Sequence, residues 1–97
     1  MTHESIVRVP TTQGSRYLQQ LCKHWSHKMP VDFSAERGVI AFPNKGGCTL
    51  EAENDGLRVT LDFENGDDLP RMQQVVFDHI KRFAFREELA DPSWRAA

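Results

Sequence analysis

Apolar and polar residues alternate along four segments of the chain, and a period of two predicts β-strands. A β-branched run that ends at Pro10 predicts a further strand near the start. The predicted strands are residues 5–9, 31–34, 39–42, 48–52 and 57–63. Turn-forming segments separate the last four, and Asp55-Gly56 is the strongest hairpin signal among them.

Two further segments repeat apolar residues at the helical spacing i, i+3, i+4, i+7. The first runs from Arg16 to about His27, and Pro30 ends it. Its apolar stripe is Leu18, Leu21, Cys22, Trp25 and Met29. The second opens at residues 66–70, where an Asp cap and a proline suit a first turn. Its stripe is Leu69, Met72, Val76, Ile80 and Phe83.

The predicted order is therefore β-α-β-β-β-β-α, with one buried and one polar sheet face. Two amphipathic helices on the buried face give an α+β two-layer sandwich with an antiparallel sheet. This order resembles TATA-binding-protein-like and helix-grip folds. A chain of 97 residues has room for one small domain. We expect an ordered core over about residues 5–90 and an extended tail over 91–97.

Composition narrows the function classes. The formal net charge is −2 at pH 7, which argues against broad affinity for nucleic acid. Acidic residues concentrate in residues 31–68, and the flanks hold most of the basic surplus. No apolar run approaches the roughly 20 residues of a membrane span, and the N-terminus lacks signal-peptide character. We therefore expect a cytoplasmic protein that binds neither membranes nor nucleic acid.

Three strings are similar to a family of short bacterial proteins catalogued as domain of unknown function 2218. They are residues 16–28, Phe42-Pro43 followed by residues 47–50, and residues 79–89. The resemblance implies a stand-alone bacterial domain with no assigned activity, sometimes found beside or fused to siderophore-interacting proteins. The family strings highlight Cys22, Lys23, His24, His27, Lys28, Cys48, His79, Arg82 and Arg86.

Each predicted helix carries polar side chains on a flank beside its apolar stripe. The two flanks consist of Tyr17, His24 and Lys28 on the first helix and His79, Arg82 and Arg86 on the second. If the helices pack side by side, these flanks meet in a groove. Arginine forks, a lysine and imidazoles suit an anionic ligand such as a carboxylate or phosphate. The alternative is a solvated flank whose alkyl stems cover the core edge.

The cysteines and histidines of the first helix raise the question of a metal or haem site. Cys22 and His24 are about 160° apart around the helix, so they do not share one ion. His24 and His27 can share one, with His79 or another group completing the site. Cys22 and Cys48 both point inward, which indicates two buried thiols, or a redox pair if they lie close together.

No motif of catalysis is visible: there is no phosphate loop, nucleophile elbow or HExxH sequence. The polar sheet face lacks the aromatic residues of an RNA-binding sheet. The first hypothesis is a binding or accessory module for an anionic small molecule, linked through the family to iron and siderophores. The second is a protein-interaction module that dimerises through its open sheet face or an edge strand. The third is a metal or haem protein, and an enzyme is the least favoured class.

Overall fold

The computed structural model describes residues 3–85, 87–89 and 92–96. Within these residues the elements in chain order are β1 (His3–Pro10), α1 (Gly14–Trp25), β2 (Val31–Phe33), β3 (Arg37–Phe42), β4 (Gly46–Glu53), β5 (Gly56–Phe63), α2 (Asp68–Phe83) and β6 (Arg95–Ala96). The predicted order of strands and helices is present, and β6 is an addition to it.

The strands form one antiparallel sheet in the spatial order β2-β3-β4-β5-β1-β6. Successive antiparallel pairs build β2 to β5, whereas β1 pairs with β5 and places Val7 opposite Val59. On its other side β1 pairs with β6, where Ser5 lies opposite Ala96. The first strand of the chain is therefore an interior strand of the sheet.

One face of the sheet is buried beneath both helices, as the alternation predicts. Helix α1 lies across β2, β3 and β4, and α2 lies across β5 and β1. The buried apolar residues of the sheet are Val7, Val9, Ile40, Phe42, Cys48, Leu50, Leu57, Val59, Leu61 and Phe63. Their removal from water is the main driving force for folding. The predicted α+β sandwich is confirmed, and the likeness to TATA-binding-protein-like and helix-grip folds stays a prediction.

Helix α1 both begins and ends earlier than the sequence pattern predicts. Its first residue, Gly14, lies so close to β5 that a Cβ would be 2.8 Å from the carbonyl oxygen of Gly56. At the other end the amides of Lys28 and Met29 both donate to the carbonyl of Trp25, which forms a turn in place of further helix.

No helix in the described part of the chain has the length and apolar character needed to cross a membrane.

Both cysteines are free thiols buried in the core, which confirms the prediction of two buried thiols. Burial raises the pKa of Cys22 to about 11. Burial also raises the pKa of Cys48, with a further contribution from the neighbouring Cys22. The neutral thiol is therefore the form present at physiological pH, and both residues behave as small apolar side chains.

The C-terminal residues 92–96 return to the body of the domain. Trp94 is half-buried against the core and lines a shallow cleft with Phe77 and Lys81 of α2. Arg95 and Ala96 then pair with β1 as strand β6. The sequence pattern indicates only an extended tail here, because two residues are too few to show a period.

Candidate functional site

Helices α1 and α2 run antiparallel over the sheet and meet along a seam. Two contacts define their orientation: His24 lies against His79, and Tyr17 bonds to Glu87 beyond the end of α2. The last turn of α1 therefore lies beside the C-terminal part of α2. At this point His24 and His79, one from each predicted flank, lie side by side.

Aromatic rings surround the two imidazoles at the seam. The ring centroids of His24 and His79 are 5.2 Å apart. The buried ring of Trp25 lies 5.0 Å from His79 and 5.2 Å from Phe42, and the ring of Phe83 lies 6.3 Å from His24. Packing of these rings at centroid distances of about 4.5–7 Å favours defined orientations. The imidazole pair thus packs against the aromatic rings of Trp25 and Phe83.

The tautomer of His79 follows from its hydrogen bond. Its Nδ1 lies 2.7 Å from the backbone oxygen of Val75, one helical turn earlier. A carbonyl oxygen only accepts, so Nδ1 carries the proton and donates it. The neutral ring then has its lone pair on Nε2, and the protonated ring has an N–H donor there. His79 can therefore accept a metal ion or, once protonated, donate to an anion.

His24 is exposed at the seam, and its charged form is disfavoured. Its pKa is lowered first by partial desolvation and then by the charges of His79, Lys28, Arg82 and His27. Each of these neighbouring groups is basic. We call His24, Lys28, His79 and Arg82 the basic cluster.

Tyr17 is not part of this cluster, although the helical flank prediction includes it. Its side chain is buried, and its hydroxyl donates to Oε2 of Glu87. The Thr11 hydroxyl donates a bifurcated hydrogen bond to the same carboxylate, with its oxygen 2.8 Å from Oε1 and 3.0 Å from Oε2. Burial, followed by the Glu87 carboxylate, raises the pKa of Tyr17 to about 12, so the phenol remains a donor. Tyr17 therefore holds a carboxylate of the chain itself.

The remaining candidates for the anion site divide into two groups. Lys28 and Arg82 are exposed and lie near enough to His24 for their charges to lower its pKa. Arg86 lies outside the described residues. Among residues 3–85, 87–89 and 92–96, no group of three or more His, Cys, Asp or Glu side chains is placed to hold a metal ion. The structure thus provides two neighbouring imidazoles, with cations beside them, and no third ligand within the described residues.

A cleft of about 390 Å³ lies further along the same seam. Phe83 separates it from the basic cluster, because its ring lies near His24 and also lines the cleft. Arg16, Tyr17, Phe85 and Glu87 contribute to its walls. The sequence does not identify this cleft, because Tyr17 and Glu87 are 70 residues apart. The position of Tyr17 one turn before Leu21 is the only sequence signal, and it indicates burial instead of a cleft.

The fold and the seam together define a small α+β domain that presents a basic cluster where two helices meet. The chain belongs to the bacterial family described as "Uncharacterized protein conserved in bacteria (DUF2218)", whose model matches residues 7–95. The resemblance carried by the two helices and by residues 42–50 is therefore confirmed.

A solved structure shares this architecture. The chain is similar to the protein in the "NMR structure of PA4090 from Pseudomonas aeruginosa", with 38% sequence identity and a TM-score of 0.79. The match covers 96% of this chain and 95% of the other. No curated protein matches the chain. These comparisons establish family and fold, and they assign no ligand.

Proposed function

We propose that the protein is a binding module for a small oxyanion, a carboxylate or phosphate compound, held at the basic cluster. In this proposal Arg82 supplies a planar pair of donors and Lys28 a point charge. His24 and His79 donate from protonated imidazoles. Helix α1 and the turn after it supply His24 and Lys28, and α2 supplies His79 and Arg82, so a compact anion in the seam can contact both sides.

One observation carries the proposal: among the described residues, no ion pair joins the basic cluster to an acidic side chain. The ion pairs described in residues 3–85, 87–89 and 92–96 involve Arg8 and Arg58 on the sheet, which bond to Glu53 at 2.8 and 3.2 Å and to Asp55. None involves Lys28 or Arg82. Like charges gathered without a counter-charge oppose one another, and an anion relieves this repulsion. Perturbed titratable groups of this kind are enriched at functional sites.

Isothermal titration calorimetry with citrate and pyrophosphate, at matched ionic strength, tests the proposal. We expect binding to tighten as pH falls from about 7.5 to about 6, because the bound anion favours the protonated imidazoles. Arg82→Gln and His79→Ala should each weaken binding about tenfold or more, as loss of a charged hydrogen bond does. Iron-siderophore handling, which the family resemblance implies, adds ferric citrate as a third probe.

Arg71→Gln is the matched control, because Arg71 is also exposed on α2 but lies at its start. This variant should bind as the unchanged protein does. Equal losses in the Arg71 and Arg82 variants would reduce the effect to general charge attraction. A fall in melting temperature for Arg82→Gln, with no change in anion affinity, would make the residue structural and contradict the proposal.

A metal or haem site is the second candidate, and the imidazole pair favours it. A separation of 5.2 Å between ring centroids permits both rings to reach one zinc ion with Zn–N bonds of about 2.0–2.1 Å. The lowered pKa of His24 keeps its imidazole neutral, which is the form that binds metals. Lys28 and Arg82 repel a cation, so we rank this candidate lower. Zinc that binds tightly and is lost in His24→Gln would reverse the ranking.

Self-association through the sheet has less support. The edge strands β2 and β6 are short, which limits edge-to-edge pairing. The open face carries Arg8, Glu53 and Arg58 in a charged network. A homodimer or another protein partner, a cytoplasmic location and the absence of nucleic-acid and membrane binding stay predictions. Sedimentation velocity at micromolar concentration tests the homodimer.

A further inference from the structure

The cleft beyond Phe83 is a second place where the chain presents chemistry to solvent. Its volume, about 390 Å³, lies near the lower end of the range for small-molecule pockets, about 300–1,000 Å³. Phe83 and Phe85 supply aromatic surface, and Phe85 is 75% exposed. A small ligand with an apolar body therefore fits the size and the lining of the cleft.

A fixed carboxylate forms one side of this cleft. Glu87 receives hydrogen bonds from Tyr17 and Thr11, whose side chains are only 5% and 6% exposed. Thr11 is itself positioned by the Gln13 amide, which donates to its hydroxyl over 3.0 Å. Two neutral hydroxyls hold the carboxylate in place without cancelling its charge. The remaining lone pairs of Glu87 can accept hydrogen bonds from a ligand.

A cation stands in the same cleft without joining this carboxylate. Arg16 lines the cleft, and its charge is near enough to Tyr17 to lower the pKa of that phenol slightly against the larger effects that raise it. It is exposed, and the ion pairs found between described residues do not include it. The cleft thus presents a positive and a negative group that form no direct ion pair with each other, with aromatic rings beside them.

We propose that this cleft binds a small amphipathic zwitterion, an α-amino acid with an aromatic or large apolar side chain. Arg16 takes the ligand carboxylate through its paired N–H groups, and Glu87 takes the ammonium. Phe83 and Phe85 pack against the ligand side chain. This site is separate from the basic cluster, which offers only positive charge and does not suit an ammonium group.

Nuclear magnetic resonance titration of the ¹⁵N-labelled protein tests the proposal with matched probes. L-Phenylalanine carries both charges, 3-phenylpropionate lacks the ammonium, L-phenylalaninamide lacks the carboxylate and glycine lacks the ring. We expect L-phenylalanine to shift the amides of Arg16, Tyr17 and Glu87. Each incomplete probe should bind about tenfold more weakly, because each loses a charged contact or the apolar contact.

Variants separate the two charges. Arg16→Gln should lower affinity for L-phenylalanine about tenfold and leave affinity for L-phenylalaninamide unchanged. Glu87→Gln should also lower affinity for L-phenylalanine about tenfold, but it should leave affinity for 3-phenylpropionate unchanged. Lys23→Gln, an exposed change on the same helix outside this cleft, should bind as the unchanged protein does. If Glu87→Gln fails to fold, the probe series and the Arg16 variant still decide. Equal affinity for all four probes, or no shift at these amides, would overturn the proposal.

Discussion

Gly38 allows α1 to lie directly on the sheet, and its replacement by alanine tests how closely the two layers pack. Gly38 is buried in β3. A Cβ at this position would lie 2.6 Å from Sγ of Cys22 and 3.3 Å from Cδ2 of Leu18. The first distance is well inside van der Waals contact, and Cys22 is fully buried. Either α1 or the thiol must therefore shift in Gly38→Ala.

Overpacking of this kind costs about 1–3 kcal/mol in free energy of unfolding. Cys22→Ala removes the atom that the new Cβ would meet, and by itself costs about 1 kcal/mol for the lost apolar contact. The two changes should be strongly non-additive, with a coupling of about 0.5–3 kcal/mol. We therefore expect the double variant to be as stable as Gly38→Ala or more stable.

Urea denaturation of both single variants and the double variant measures this coupling. Cys48→Ala is the matched control, because Cys48 is also a buried thiol but is not among the atoms nearest to the new Cβ. It should not rescue Gly38→Ala. Additive losses with Cys22→Ala, or a Gly38→Ala loss below about 0.5 kcal/mol, would refute the close approach of α1. A tilt of α1 would also move His24, so anion affinity gives a second measurement.

Three further results are expected. Because the folded-state pKa of His24 is lowered, the unfolded chain binds more protons as pH falls through about 6.5. His24→Gln should therefore lose less stability than the unchanged protein between about pH 7.5 and pH 5 in urea denaturation; an equal loss would contradict this. Tyr17→Phe should lower stability by about 1–2 kcal/mol, because Glu87 loses a donor, and a neutral result would place that carboxylate in water. The two buried thiols should react with an aromatic disulfide reagent only after unfolding, whereas rapid labelling of the native protein would contradict their burial.

The fold could be predicted from sequence because its information is local. Alternation in β3, β4 and β5 identifies the buried face directly, and the Asp55-Gly56 turn fixes one hairpin. The sequence pattern gives no information on where β1 lies in the sheet. Its pairing with β5 joins residues far apart in the chain, and no periodicity reports such a contact. The strand β6 has only two residues, which is too short to show a pattern in the sequence.

The candidate site likewise has parts that local sequence patterns predict and parts that depend on tertiary contacts. The sequence predicts that His24 and His79 each lie on a flank beside an apolar stripe, but whether they meet depends on how the two helices pack on the sheet. The bond between Tyr17 and Glu87 could not be predicted, since it depends on how the chain turns after α2. Helical spacing gives the angle of Tyr17 around α1, but the partner of a hydroxyl is decided by tertiary packing.

The interior position of β1 has a consequence for the order of folding. The antiparallel pairs from β2 to β5 close short loops, whereas β1 must wait for β5, the strand that contains its partner Leu57. Closing the longer loop costs more chain entropy and is compensated only when both strands are in place. We therefore expect β1 to dock after the folding transition state. Truncating Val7 to alanine should then speed unfolding much more than it slows refolding. The first segment of the chain thus joins the sheet late, and it holds together strands that have already paired.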